Sequence, residues 1–328
     1  MNGALAGDAE ADGTAADSTA ADSTAADGTA QRVPYDEFAL FHENAREFGL
    51  PYDQPPAVRR VSAEVGDGRR LSGLLWGTAS PELVLLHGGS QNAHTWDTVA
   101  LALGRPLLSL DLPGHGHSDD ASRGQVNVDA IAADVAAAVA ALAPGARAVV
   151  GMSLGGLTAL ALARDFPALV RALVLVDVTP GVTAQKSRAI TAFVQGPVSF
   201  ASFDDILART VAHNPGRTVS SLRRGILHNA RQLADGSWVW RYRRAGAADP
   251  VPERSTLDFG PLWEAVSGLR VPLLLVRGTR TGSVVDDADE AELRRRAPEA
   301  QVAHVDAGHS VQGDAPLELA QLITNFTA

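Results

Sequence analysis

The chain has 328 residues, 45% of them hydrophobic, with no cysteine and a formal net charge of −10. That length suits one large domain or two small ones around a sizeable core, and zero cysteines exclude disulfides, zinc–thiolate sites and thiol catalysis while fitting a reducing, cytoplasmic setting. Asp8, Glu10, Asp12, Asp17, Asp22 and Asp27 sit in the first 31 residues without a Lys or Arg, so the remainder is only mildly acidic, which argues against nucleic acid as the main partner.

Residues 11–30 read ADGTAADSTAADSTAADGTA, with aspartates recurring every five residues. That period fits neither a helix nor a strand, so residues 1–31 are predicted to be a disordered acidic tail. It lacks the basic start and apolar run of a signal peptide. No run of about 18 apolar residues predicts a transmembrane helix.

Regular patterning begins near residue 58. VRRVSAEV and RRLSGLLWG flank Gly66, Asp67 and Gly68 as a hairpin, and ELVLLH (82–87) and PLLSLD (106–111) are short apolar runs typical of buried strands. In 127–142, Ile131, Val135, Val139 and Leu142 share one helical face, with Asn127 as a cap. A strand at 148–151, a helix at about 154–166 and a strand at 170–178 follow. Residues 181–256 look helical and loop-rich, without a strong buried strand. Alternation resumes with strands at 271–278 and 300–307 and helices at 287–298 and about 314–326. Strands alternating with helices predict an α/β fold, a mostly parallel sheet with helices on both faces, interrupted by an insertion.

Gly151-Met152-Ser153-Leu154-Gly155 fits G-x-S-x-G directly between a buried strand and a helix, the nucleophile-elbow context. Flanking glycines permit the sharp turn, and the helix start adds positive potential where negative charge develops. LLHGGSQNAHTW (85–96), DLPGHGHSD (111–119) and DAGHSVQGDAP (306–316) follow in the same chain. Together these four motifs resemble the α/β-hydrolase superfamily: its elbow, His-Gly oxyanion loop, glycine loop and catalytic-histidine loop. The resemblance covers roughly residues 58–326. It implies a core of residues 32–180 and 257–328 and a helical cap at 181–256.

A serine hydroxyl needs a base, and nine histidines are available. His309 occupies the histidine slot that the resemblance implies. His87 falls in the oxyanion loop, His115 and His117 in the glycine loop, where structural hydrogen bonding is expected; His213, His228 and His304 are assigned to the surface or the insertion. The base needs an orienting carboxylate. The commonest family pattern places it after the penultimate strand, where this chain reads VRGTRTGSVVDDAD, with no acid at Thr281, Gly282 or Ser283. Asp177 instead ends the apolar strand LVLVDV, the acid position of a small serine-esterase branch. Asp286 and Asp287 are alternatives, read chiefly as helix caps, and Ser283 is a candidate auxiliary of the His–acid network.

The resemblance also assigns the oxyanion donors to the backbone N–H groups of Gly89 and Leu154. His94, Met152, Trp238 and Trp240 are candidate pocket residues. The insertion holds Lys186 and ten arginines against five acids, a local balance of +6, read as a solvated basic surface before an anion site. The expected activity is serine hydrolysis of a small-molecule carboxylic ester, with no cofactor and no metal. Lactonase, thioesterase or carbon–carbon bond hydrolysis uses similar parts, and a receptor-like binding protein would also keep the triad.

Overall fold

The computed structural model describes residues 32–121, 127–242 and 258–328. The acidic repeat and the end of the insertion lie outside the described residues. The strands are β1 (Val58–Glu64), β2 (Arg70–Trp76), β3 (Leu83–Leu86), β4 (Leu107–Leu110), β5 (Ala148–Met152), β6 (Leu173–Val176), β7 (Ser199–Phe200), β8 (Ala230–Gln232), β9 (Trp238–Trp240), β10 (Leu273–Gly278) and β11 (Gln301–Val305). Among the described residues, eight of them form one sheet in the order β1-β2-β4-β3-β5-β6-β10-β11. The β1–β2 and β2–β4 pairs are antiparallel, and every pairing from β4 to β11 is parallel. This is the α/β architecture the alternating pattern predicts.

The continuous apolar runs follow from burial on both faces. Val84 and Leu86 join Ile131, Val135 and Val139 of helix Val128–Leu142 and Leu157 and Leu160 of helix Leu154–Asp165 in one apolar layer. Leu83 and Leu85 point the other way, to Trp96, Val99 of helix Asp97–Leu103 and Ile323 of helix Pro316–Phe326. Each fully buried side chain of this kind stabilises the fold by roughly 1.5–3 kcal/mol. Asn127 caps its helix as expected, accepting from Ala130 N–H at 2.8 Å.

Three differences from the expected elements have physical reasons. The last helix is two pieces, Val311–Asp314 and Pro316–Phe326, because Pro316 opens a new first turn. Short helices at Phe41–Phe48, Asp97–Leu103 and Leu262–Gly268 are too brief for a period to stand out. The insertion, expected to be helical and loop-rich without a strong buried strand, has helices Arg188–Val194, Phe203–His213 and Val219–Asn229 and also a small three-stranded antiparallel sheet in the order β7-β9-β8. Those strands have two or three residues each, below the length at which alternation is visible.

The insertion packs on Phe200, Ile206, Ile226, Leu227 and Trp238, and Val33, Tyr35 and Leu40 from the start of the described chain lie against this cluster. Phe41, just downstream, is buried with Trp76 and Trp96 under the large sheet. Residues 33–48 thus tie the insertion to the sheet. No helix among the described residues is long and apolar enough to cross a membrane.

The chain runs from β3 outward to β4, then returns past β3 to β5. Such a reversal opens a crevice at the carboxyl ends of β3 and β5, where open α/β sheets bind ligands. The His87 loop leaves β3 there, and Ser153 leaves β5.

Candidate active site

Ser153 follows β5 and precedes helix Leu154–Asp165, with φ 52° and ψ −120°. A non-glycine residue in this region carries strain of about 1–3 kcal/mol. The surrounding glycines are required for space. A Cβ on Gly155 would meet the His87 carbonyl oxygen at 2.6 Å, and one on Gly156 would press on Val178 and meet the Gly151 carbonyl oxygen at 2.9 Å. The elbow therefore wedges its helix against both neighbouring strand ends. Among the described residues, Asp67, Ser90, Ser153 and Asp177 are the non-glycines with positive φ, and all but the hairpin's Asp67 lie at this crevice.

Asp177 is wholly buried at the end of β6. Its Oδ2 lies 2.8 Å from His309 Nδ1 and accepts from Val284 N–H at 3.1 Å. Its Oδ1 accepts from Gly278 N–H at 2.9 Å and from the Ser283 hydroxyl at 2.6 Å. A carboxylate bound this way accepts from Nδ1–H, leaving His309 Nε2 with its lone pair. The His309 loop is held by Asp314, whose Oδ2 accepts from Gly308 N–H at 2.9 Å. Among the described residues, neither the Ser153 hydroxyl nor His309 Nε2 makes a hydrogen bond, to each other or to another group. Asp286 and Asp287 stand elsewhere. Asp286 caps helix Asp287–Arg296 in a capping box and pairs with Lys186 at 2.8 Å, while the exposed Asp287 pairs with Arg277 at 2.7 Å.

The loop after β3 is stitched by its neighbours. His87 is fully buried, donating from Nδ1 to Gly88 C=O at 2.7 Å and accepting from Leu112 N–H at 2.9 Å. Burial, with His115 beside it, pushes His87 down to about 3, so the ring is neutral as these bonds require. His115 accepts from Ser90 N–H at 3.0 Å and donates to Pro113 C=O at 2.9 Å. Gln91 Oε1 accepts from Gly88 N–H at 3.2 Å and from Gln312 Nε2 at 3.3 Å. The N–H groups of Gly89 and Leu154 have no acceptor among the described residues. Gln91, Gln312 and Asn229, which donates to Ser90 C=O at 2.6 Å, carry no local sequence signal. Only the folded chain brings them to this loop.

The expected pocket residues divide. Met152 is 1% exposed and sits in the apolar layer beneath Gly88, so it is core. Trp238 is buried against Phe203 in the insertion's own cluster, with ring centroids 5.0 Å apart. Trp240 is half-buried, stacked on Tyr242 at 5.6 Å, which stacks in turn on His115 at 6.4 Å. That row of rings leads from the insertion to His115, which holds Ser90 of the loop after β3. Some of the insertion's basic groups pair with acids outside it: Arg224 is buried against Glu47 and Lys186 holds Asp286 and Asp289, while Arg209 lies over the Phe193 ring.

His94 does not reach the crevice; it fills a buried junction between the segment at 33–48, the sheet and the insertion. Its Nδ1 lies 2.9 Å from Asp97 and its Nε2 3.4 Å from Glu37. Burial opposes its charge, but Asp97 and Glu37 outweigh that and push His94 up to about 9. His228 stacks on it at 3.9 Å and accepts from the Tyr35 hydroxyl at 2.9 Å; burial and the His94 charge hold it well below the usual range. His94, Asp97 and His228 offer three ligand atoms within 4.8 Å of one another. The two rings are within 10° of parallel, so their lone pairs do not converge on one point as a metal would require.

An open groove of about 700 Å³ lies between β10 and helix Asp287–Arg296, lined by Arg277, Ser283, Glu290 and His304 among others. Ser153 and His309 do not line it, so it is separate from the crevice.

A family model described as alpha/beta hydrolase fold matches residues 81–316. The chain belongs to the alpha/beta hydrolase family. It is 46% identical over 298 residues to esterase Rv0045c of Mycobacterium tuberculosis, covering 88% of this chain and 94% of that protein. The crystal structure of that esterase matches with a TM-score of 0.77 and 44% identity, over 90% of this chain and 99% of that one. The sn-1-specific diacylglycerol lipase ABHD11 of Mus musculus is 30% identical over 270 residues, covering 78% of this chain and 84% of the lipase. Within this family, then, the chain pairs its histidine with an acid at the end of β6.

Proposed function

We propose that this alpha/beta hydrolase is a serine esterase, with Ser153 as nucleophile, His309 as general base and Asp177 as the orienting acid. The observation that carries the reading is the buried Asp177 carboxylate on His309 Nδ1 at 2.8 Å, beside a serine on a strained elbow. Ser153 Oγ attacks the ester carbonyl and its proton passes to His309 Nε2. The oxyanion is held by the free N–H groups of Gly89 and Leu154, each worth roughly a hundredfold or more in rate. Collapse expels the alcohol, which takes the proton from His309. Water, deprotonated by the same nitrogen, then releases the acid. Ser283 supports Asp177 by its 2.6 Å hydrogen bond.

Residues 181–256 act as a cap on a core of 32–180 and 257–328. Trp240 and Tyr242 present an apolar wall, which favours an uncharged acyl chain over an anionic one. The esterase relative of Mycobacterium tuberculosis supports ester hydrolysis over lactone, thioester or carbon–carbon bond cleavage. The test is intact-mass analysis after incubation with a fluorophosphonate, with p-nitrophenyl butyrate turnover in parallel. One adduct and turnover on the wild type, and neither on Ser153→Ala, is the expected result. A well-folded wild type that takes no adduct sinks the reading.

A further inference from the structure

Gly88 and Gly89 are consecutive glycines in the loop after β3, and Gly89 N–H, which has no acceptor among the described residues, is an oxyanion donor in the reading above. A Cβ on Gly89 would meet nothing within 4 Å, so packing does not fix this residue. The next residue, Ser90, is held at φ 64°, a left-handed conformation that disfavours any side chain. What holds the loop is hydrogen bonding. Ser90 N–H donates to His115 on the core side at 3.0 Å. Ser90 C=O accepts from Asn229 Nδ2 at 2.6 Å, and Asn229 is the last residue of helix Val219–Asn229 in the insertion. Asn229 is fixed in turn: its backbone C=O accepts from Arg241 N–H at 2.8 Å, and Asn92 Nδ2 reaches its Oδ1 at 3.3 Å and His228 C=O at 2.9 Å.

We infer that Asn229 is a positioning residue through which the cap sets the oxyanion hole: it clamps the Ser90 peptide and so aims Gly89 N–H. The inference rests on the esterase reading above. The cap then does more than cover substrate. When it sits against the core, Ser90 is gripped on both its N–H and its C=O. When it moves away, the grip on the C=O is lost, and the Gly88–Gly89 peptide keeps only its core contacts, Gly88 C=O accepting from His87 Nδ1 at 2.7 Å and from Gln91 N–H at 3.3 Å. A donor that is misaimed part of the time harms the transition state, where the oxyanion is fully charged, more than the bound ester.

The test compares wild type, Asn229→Ala and Asn229→Asp by p-nitrophenyl butyrate kinetics and by amide hydrogen exchange over residues 87–92, with Ser153 labelling of the wild type as the control. Asn229→Asp keeps the shape and removes the donor, so it stands in if the alanine variant does not fold. The expected result is a kcat lowered about tenfold or more with KM within about threefold, short of the loss from deleting a donor outright. Exchange at 88–91 speeds up in the same variants. A folded variant with unchanged kcat and unchanged exchange overturns the inference while wild-type labelling leaves the esterase reading standing. A raised KM at normal kcat also overturns it, because Asn229 would then be binding substrate. If the wild type is neither labelled nor active, the esterase reading falls, and unchanged loop exchange would remove the clamp with it.

Discussion

The elbow and the His94 junction are both largely buried and both hold titratable groups, yet they are built in opposite ways. At the elbow, Ser153 and its glycines are neighbours in sequence, and the geometry is enforced by close contact of main chain with main chain. At the junction, Tyr35, Glu37, Arg60, His94, Asp97 and His228 come from four regions of the chain and are held by side-chain hydrogen bonds and charge. The first kind of site leaves a local motif. The second leaves only scattered polar residues, each with an ordinary surface explanation until the chain is folded.

The sharpest test of that contrast is the acid. Asp177→Asn keeps the shape but weakens the hold on the His309 tautomer, and kcat for an ester substrate is expected to fall by about a hundredfold or more. Asp286→Asn and Asp287→Asn should leave kcat within about twofold, since both side chains serve a helix start. A severe loss in either of those with near-normal Asp177→Asn overturns the assignment.

Gly155→Ala comes next. Its Cβ would press on the backbone of Leu86 and His87, which cannot yield without moving β3 and the loop that follows it. Overpacking of this kind costs about 1–3 kcal/mol. Calorimetry should show a lowered Tm, and fluorophosphonate labelling of the folded fraction should slow; a normal Tm with normal labelling would show that the elbow has slack. Ser283→Ala is milder. Asp177 keeps His309, Gly278 N–H and Val284 N–H, so kcat is expected to fall about threefold to tenfold, less than the full worth of roughly 1.5–3 kcal/mol for a hydrogen bond to a charged group. A wild-type rate would remove Ser283 from the network.

The junction should answer to pH rather than to substrate. Burial opposes the Glu37 charge, but hydrogen bonds from His94 and Arg60 hold it down to about 2. Its contribution to stability is complete above pH 4.5 and is lost as pH falls through about 2. His94, pushed up to about 9, contributes fully below pH 6.5 and fades as pH rises through about 9. Thermal melts should therefore decline on the alkaline side of pH 6.5, and His94→Gln should flatten that decline while lowering the plateau. An identical alkaline slope in His94→Gln would mean that another group titrates there.

Much of the fold was legible beforehand because it is written in local pattern. The apolar runs of β3, β4, β5, β6 and β10 each announce a strand covered on both faces, and Asn127 announces a helix start. The insertion was legible as helical, and three helices stand there, but its strands were not, since two or three residues carry no period. Met152 and His94 were misplaced for a related reason. A residue beside the serine, or in the loop after β3, has two faces to choose from, and sequence does not say which one the sheet covers.

By itself, then, the sequence determined the α/β order, the elbow at Ser153, the histidine loop at His309 and an unexplained acid at the end of an apolar strand. Each reflects constraints that act within a few residues: strand alternation, helix capping and glycine where main chains touch. The tertiary structure alone decided that Asp177, and neither Asp286 nor Asp287, stands against His309, a partner 132 positions away. It also decided that Asn229 grips Ser90 across 139 positions, and that His94 pairs inward. Those contacts depend on how the sheet order and the insertion bring distant loops together, and no short stretch of residues records that distance.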